Sequence, residues 1–262
     1  MKEGSRAKTL SLLLFLSGFL VMWQVSGGAL AMHISEGILP VKWSVLWFIA
    51  ALPFLIPGFL SIYREIAIDR AMVAKLALAG ALVFVISLLP IPVPISGTCS
   101  HPCGTPLAAM LIGPTMTSVM ASVALLLQAL FLAHGGLTTL GANVFSMGVV
   151  GALSGLFVYR LSRRLGAGQF LSAFLAGFLG DLFVYFATAF QLASGVPSGR
   201  GFLFDLGRIC LAFLPTQLPL AILEGLFTGG ILLALARSRP EILVPTKGGE
   251  KLRLLATPGK RQ

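Results

Sequence analysis

Long apolar runs separated by short polar or basic stretches organise this chain. Runs fall at about 43–62, 76–93, 115–133, 144–159, 170–192 and 209–236. Each approaches the roughly 20 residues a helix needs to cross a hydrocarbon core about 30 Å thick. The apolar–polar alternation over ~10-residue strands that marks a membrane barrel is absent from the pattern. The pattern therefore predicts a helical bundle in lipid.

The stretch between residues 90 and 114 breaks the pattern. It holds Pro90, Pro92, Pro94, Pro102, Pro106 and Pro114, with Gly97, Gly104 and Gly113. Proline removes a backbone N–H and interrupts helical hydrogen bonding. Irregular backbone at membrane depth survives only where protein buries it or where it lines a cavity, and broken helices of this kind commonly form transporter substrate sites. A proline-rich external loop is the plainer alternative.

Charge placement orients the bundle. Arg64, Arg70 and Lys75 lie in one loop, Arg160, Arg163 and Arg164 in another, and the segment after Arg237 is basic. Cytoplasmic loops carry the excess of Lys and Arg. An exported N-terminus and one crossing put the first basic loop inside. Three visible runs then separate it from the second, so a further or broken crossing is expected within 94–133.

Composition agrees: 56% of residues are hydrophobic, 11% are charged, and the mean hydropathy is +0.94. Soluble domains carry about 25% charged residues. The net charge of +10 follows from orienting loops and termini rather than from a nucleic-acid surface.

Residues 1–31 resemble a secretory signal. Lys2, Arg6 and Lys8 precede an apolar stretch at 10–25, and Ala29-Leu30-Ala31 is a small-x-small cleavage site; an uncleaved first helix is the alternative. The remaining organisation is a membrane domain at 32–236 and a basic cytoplasmic tail at 237–262. Cleavage after Ala31 would make Met32-His33-Ile34-Ser35-Glu36-Gly37 the new terminus. The Met32 amine, the His33 amide and the His33 ring could then wrap one ion in two fused chelate rings. Nitrogen-rich tetragonal sites suit Ni(II) and Cu(II), and Co(II) also accepts imidazole and amine donors.

The chain has three histidines and three cysteines. His101 lies in the broken segment, on the same predicted outer side as His33, and can supply a fourth nitrogen. His134, in a glycine-rich turn, either orients a ligand or bonds backbone at a helix end. Cys99 and Cys103 flank His101 and are the rival ligands, soft donors for zinc or Cu(I); small packing residues are the plainer reading. Asp181, Arg208 and Glu224 fall within or near the spans, where ionisable groups are functional candidates, although pairing with Arg208 or helix capping also accounts for the acids. Ala77 and Ala81, and Gly151 and Gly155, have the four-residue spacing of close helix packing.

Four stretches carry a family resemblance. They are Met32-His33-Ile34-Ser35-Glu36-Gly37; Ser100-His101-Pro102 with Gly104-Thr105 and Ile112-Gly113-Pro114; Gln128 through His134-Gly135-Gly136-Leu137-Thr138-Thr139-Leu140-Gly141-Ala142-Asn143 to Met147; and Gln217-Leu218-Pro219-Leu220-Ala221-Ile222-Leu223-Glu224-Gly225. Together they resemble the CbiM/NikM family, the substrate-binding subunits of energy-coupling-factor transporters for cobalt and nickel. The resemblance implies an all-α integral membrane protein of about seven transmembrane helices after signal removal, N-terminus outside and C-terminus cytoplasmic, in the inner cell membrane. It implies Met32, His33 and His101 as ligands of Co2+ or Ni2+, the bound substrate, with Glu36, Ser100, His134 and Asn143 around them. It also implies no catalysis by the chain itself. ATP is consumed by cytoplasmic ATPase subunits, with a transmembrane coupling subunit and a small companion membrane protein. The Gly-Leu-Thr-Thr-Leu-Gly-Ala-Asn run resembles the cobalt branch, which implies a supply for cobalamin synthesis. Cys103 and Pro106 depart from the family's usual Thr and Gly.

Two other function classes make different predictions. An intramembrane metalloprotease predicts a His-Glu-x-x-His pair, which the sequence lacks. A structural membrane subunit predicts that His33 and His101 are dispensable for metal uptake.

Overall fold

The computed structural model describes residues 33–88, 91–93 and 98–238, with backbone alone at 91–93, 98 and 99. The signal segment, Met32, the Cys99 side chain and the tail from residue 239 lie outside the described residues.

Among the described residues, seven helices and one small antiparallel strand pair follow one another. They are α1 (Val41–Ile68), α2 (Ala71–Ser87), β1 (Ile91–Val93), β2 (Thr98–Ser100), α3 (Thr105–Ile112), α4 (Pro114–Phe131), α5 (Leu140–Arg164), α6 (Gln169–Gly195) and α7 (Phe202–Ser238). Five of them, α1 and α4 to α7, are long and apolar enough to cross a membrane. α2 is shorter, with 17 residues. The apolar runs thus locate the helices, but α1 extends past its predicted end to take in Arg64 and Glu65, and α7 begins seven residues earlier than its apolar run (202 against 209).

The broken segment holds a short antiparallel hairpin, Ile91 paired with Ser100 and Val93 with Thr98. After it comes α3, eight residues long and buried at every position. A helix this short ends where glycine lets it. Gly104 (φ +68°) precedes it and Gly113 (φ +86°) follows it, left-handed conformations that side chains rarely adopt. Pro106 and Pro114 sit in the first turns of α3 and α4, where the missing N–H costs nothing. The described part of the stretch from Ser100 to Ile112 is therefore an interior element rather than an external loop.

Small residues allow the neighbours to close on α3. A Cβ at Gly155 of α5 would lie 2.6 Å from Pro106 Cβ, and one at Gly180 of α6 would lie 2.8 Å from Pro106 Cγ. At Gly151 it would meet Thr105 Oγ1 at 2.5 Å. Gly151 and Gly155 are thus the packing face their spacing suggests. Ala77 and Ala81 are exposed on α2, so within this chain their face is not packed among the described residues. The most extensive helix pairing is α6 with α7. α1 buries only Ser44, Ala51 and Gly58, and its outer face is apolar, as expected of a helix whose solvent is lipid.

Within α5, Val144–Val150 forms a π-helical segment. Such widened turns are rare and concentrate at functional sites. This one faces the segment that begins at His33.

Candidate metal centre

The chain from His33 to Pro40 lies across the turn that joins α4 to α5. The seat is built by the polar, glycine-rich run of that turn. Asn143 binds Ile34 at both backbone groups: its Oδ1 accepts the Ile34 N–H at 2.8 Å, and its Nδ2 donates to the Ile34 carbonyl at 3.1 Å. Thr139 Oγ1 donates to the same carbonyl at 2.5 Å. The Glu36 carboxylate accepts the Thr138 N–H at 3.1 Å and the Thr138 hydroxyl. Those bonds, the hydroxyl's above all, hold the Glu36 carboxyl below the usual carboxylate range.

Glycine is required where the two segments touch. A Cβ at Gly136 would lie 2.6 Å from Glu36 Oε2 and 2.7 Å from Glu36 backbone atoms. One at Gly135 would lie 3.2 Å from His33 Cβ. At Gly141 it would lie 2.4 Å from Phe48 Cα in α1.

This seating brings the three histidines together. Their ring nitrogens lie within 4.8 Å of one another. His33 Nδ1 and His101 Nε2 are 3.2 Å apart. His101 Nδ1 lies 3.0 Å from the Pro102 carbonyl, which fixes the proton there and leaves Nε2 with its lone pair toward His33. His33 Nε2 lies 3.3 Å from the thioether of Met147, in the π-helical segment. That contact suits an Nε2 proton and leaves His33 Nδ1 free as well. The His134 ring stands edge-on to His33, centroids 4.8 Å apart, and its Nε2 is buried without a hydrogen-bond partner. Burial lowers the basicity of His33 and His134, for His33 with the neighbouring imidazoles adding to the effect. The cluster is therefore held neutral, the form that ligates metals.

The cluster suits a transition ion better than a hard one. Mg and Ca sites are built from oxygen, and no carboxylate belongs to this group. With nitrogen–metal bonds of about 2.0–2.1 Å, a 3.2 Å separation subtends roughly 100° at the ion. The two nitrogens are thus spaced as neighbouring ligands around one centre.

The loop that carries His101 is fastened from behind. Gln217 Nε2 donates to Ser100 Oγ at 2.5 Å. Tyr185 Oη donates to the His101 carbonyl at 3.4 Å. Glu224 accepts the N–H groups of Cys103 at 2.5 Å and of Gly104 at 2.9 Å. Glu224 therefore caps the buried start of α3, and Arg208 pairs instead with Asp205 at 3.7 Å. Cys103 turns away from the histidines, its thiol donating to Asp181 Oδ1 at 3.2 Å.

Of the residues singled out in the sequence, His33, His101, His134, Glu36, Ser100 and Asn143 thus sit in or against one site. Met147, Tyr185, Gln217, Thr138 and Thr139 join them without having been assigned roles. The sequence placed most of these in its distinctive runs, but a thioether or an amide in an apolar run carries no sign of its contact.

The sequence model described as the cobalt uptake substrate-specific transmembrane region, CbiM, matches residues 33–242. A relative from Geobacter sulfurreducens, named cobalt transport protein CbiM, is 52% identical over 84% of this chain and 63% of its own length. The Sorangium cellulosum protein of the same name is 51% identical over 81% of this chain and 94% of its own. A crystal structure of a truncated transition metal transporter superposes with a TM-score of 0.69 at 27% identity, covering 79% of this chain and 99% of that one. A family model that matches most of the chain, a shared fold and sequence identity above one half converge on one assignment: this chain belongs to the CbiM family, the substrate-specific transmembrane component of cobalt uptake.

Proposed function

We propose that the chain is the substrate-capture subunit of an ATP-driven importer of the energy-coupling-factor type, taking up Co2+, with Ni2+ as the alternative cargo. The observation that carries this reading is the approach of His33 Nδ1 to His101 Nε2 inside a buried, carboxylate-free cluster. An N-terminal amine, the following amide and Nδ1 of a second-position histidine form two fused rings. Nδ1 is the His33 nitrogen that faces His101, while Nε2 is engaged by Met147. Removal of residues 1–31 then makes the Met32 amine the remaining donor, and His101 completes four nitrogens.

In this reading α2 and the α3 region provide the two crossings that bring the total to seven. The N-terminus is outside, and the C-terminal tail is cytoplasmic. The chain hydrolyses nothing. A transmembrane coupling subunit, cytoplasmic ATPases and a small companion membrane protein drive release inward, and the cobalt serves cobalamin synthesis.

Intact mass together with calorimetric titration of Co2+ and Ni2+ tests the proposal. A mass beginning at Met32, with one ion lost in both His33→Ala and His101→Ala, supports it. A retained leader, or unchanged binding in both variants, sinks the four-nitrogen site.

A further inference from the structure

A second cluster of metal-ligand side chains lies next to the first and takes no part in it. Cys103, Asp181 and Glu224 are all buried, and one donor atom from each lies within 4.8 Å of the others. They come from three elements: the loop before α3, the middle of α6 and the middle of α7. Cys103 follows His101 by two residues on one loop, so the backbone positions that carry the two clusters are at most about 7 Å apart.

Capping explains only part of this cluster. Glu224 is occupied by the Cys103 and Gly104 N–H groups, and Asp181 Oδ1 by the Cys103 thiol. Asp181 Oδ2 is buried with no partner, and so is Thr105 Oγ1 in the first turn of α3. Two carboxylates held together out of water need a cation or a shared proton. Among the described residues the one ion pair joins Arg208 to Asp205, and no Lys or Arg reaches Asp181 or Glu224. The arrangement offers an acceptor-rich spot with an orphaned oxygen and a soft sulfur beside it.

We infer that Cys103, Asp181 and Glu224 form a second binding site for the transported divalent ion, an inner station reached from the histidine cluster along the His101–Gly104 loop. One sulfur and two carboxylates suit the borderline ions Co(II) and Zn(II) better than Mg or Ca. Tetrahedral ligands at 2.0–2.3 Å stand about 3.5 Å apart, so the trio closes on an ion with sub-ångström to ångström shifts. Binding replaces protons: the Cys103 S–H bond breaks and a sulfur–metal bond forms, the proton shared by the Asp181 and Glu224 carboxyls gives way to oxygen–metal bonds, and both protons leave to solvent for each ion bound.

The transfer from histidines to thiolate and carboxylates also has a chemical logic. The outer site grips through nitrogen, whereas the inner one offers the unpartnered Asp181 Oδ2 beside Glu224 oxygens already engaged by the Cys103 and Gly104 N–H groups. An ion held in the inner site is held by three groups on separate elements, and small relative motion of α6 and α7 opens it.

This inference rests on the reading of the chain as a metal-capture subunit, and its test separates the two. Untagged wild-type protein is titrated with Co2+ while the near-ultraviolet thiolate-to-cobalt charge-transfer band is followed, and bound metal is counted after gel filtration. Two ions per chain and a sulfur band are expected in the wild type. Cys103→Ala and Asp181→Asn are expected to bind one ion with no band, and His101→Ala to keep the band. A wild type that binds one ion without a sulfur band overturns the inner site while leaving the histidine site standing. A second ion that persists in both Cys103→Ala and Asp181→Asn also overturns it. The wild-type band needs no variant, so misfolding of a variant cannot hide the answer.

Discussion

His33 Nδ1 and His101 Nε2 stand 3.2 Å apart, although 68 positions separate them in the chain. Each is prepared by a contact on its other nitrogen, His33 by Met147 and His101 by the Pro102 carbonyl. Partners of this kind fix tautomer and ring orientation, and losing one typically costs 10–100-fold in metal affinity. Loss of a ligand itself is expected to cost more. His101→Ala and His33→Ala should each weaken Co2+ binding by over about 100-fold, and Met147→Leu by about tenfold. Calorimetric titration in detergent checks all three. Less than a tenfold change in both histidine variants would falsify the shared centre.

The seat of the N-terminal segment can be tested without touching a ligand. In Gly136→Ala the new methyl would stand 2.6 Å from Glu36 Oε2 and 2.7 Å from its backbone. Overpacking of this kind costs about 1–3 kcal/mol. The expected outcome is a lower thermal midpoint and weaker Co2+ binding together. Gly230→Ala, where a Cβ meets nothing within 4 Å, should be neutral or mildly stabilising, since alanine favours helix. Equal behaviour of the two variants would argue against a tightly closed seat.

The acid side of the stability profile follows from two imidazoles and one carboxylate that act in the same direction. His33 and His134 are held below the ordinary imidazole value of 6.5. Below 6.5 the unfolded chain takes up protons that the folded one refuses, so stability falls as pH drops through that value. Glu36 is held below 4.5 by Thr138. Its contribution is present above 4.5 and disappears as pH falls through its lower folded value. Thermal midpoints from pH 7 to pH 4 should therefore fall in wild type, and less steeply between 6.5 and 5 in His134→Ala. Parallel profiles in the two proteins would contradict the buried-neutral assignment.

Cobalt affinity should depend on pH for a different reason. The imidazoles are already neutral near pH 7, so in the proposed four-nitrogen site proton competition would come from the Met32 amine and the His33 amide. A free α-amine titrates near 7.7–8.0. Binding should release protons and tighten by about tenfold or more from pH 6 to pH 7.5. A form retaining residues before Met32 should lose most of that dependence. Identical slopes for the two forms would remove the amine from the ligand set.

His134 offers a means of discriminating ions. Its Nε2 is buried, unpartnered and within reach of the other two imidazoles. A square plane of four nitrogens satisfies Ni(II), while Co(II) makes use of a further donor. His134→Ala should weaken Co2+ by about tenfold and Ni2+ by less than about threefold. Competition titrations with both ions decide it, and equal losses would assign His134 a purely structural place.

Much of the frame was legible in the sequence because lipid is an undemanding solvent to predict. Apolar length set the long helices, and the prolines with Gly104 and Gly113 marked the break that holds α3. Helix ends were less legible: Arg64 and Glu65 continue α1 because charge at a helix end can extend into the interface. His33 and His101 were legible as donors, since three histidines in so apolar a chain are conspicuous. Their neighbours were not. Met147 reads as another core methionine, and nothing in sequence pairs Glu224 with the backbone of Cys103. Such contacts depend on how α6 and α7 lie against the loop, and that depends on glycine contacts between helices, which a hydropathy pattern does not record.

The loop 100–104 has a mechanical consequence. It holds His101 at one face, and at the other it is tied to α6 by Tyr185 and Asp181 and to α7 by Gln217 and Glu224. A tether with that many anchors has little slack. A displacement of the imidazole when cargo arrives is therefore coupled to α6 and α7 through these contacts. The outward surfaces of those helices are apolar and exposed, so a neighbour in the bilayer could feel whether the seat is full without touching the ion.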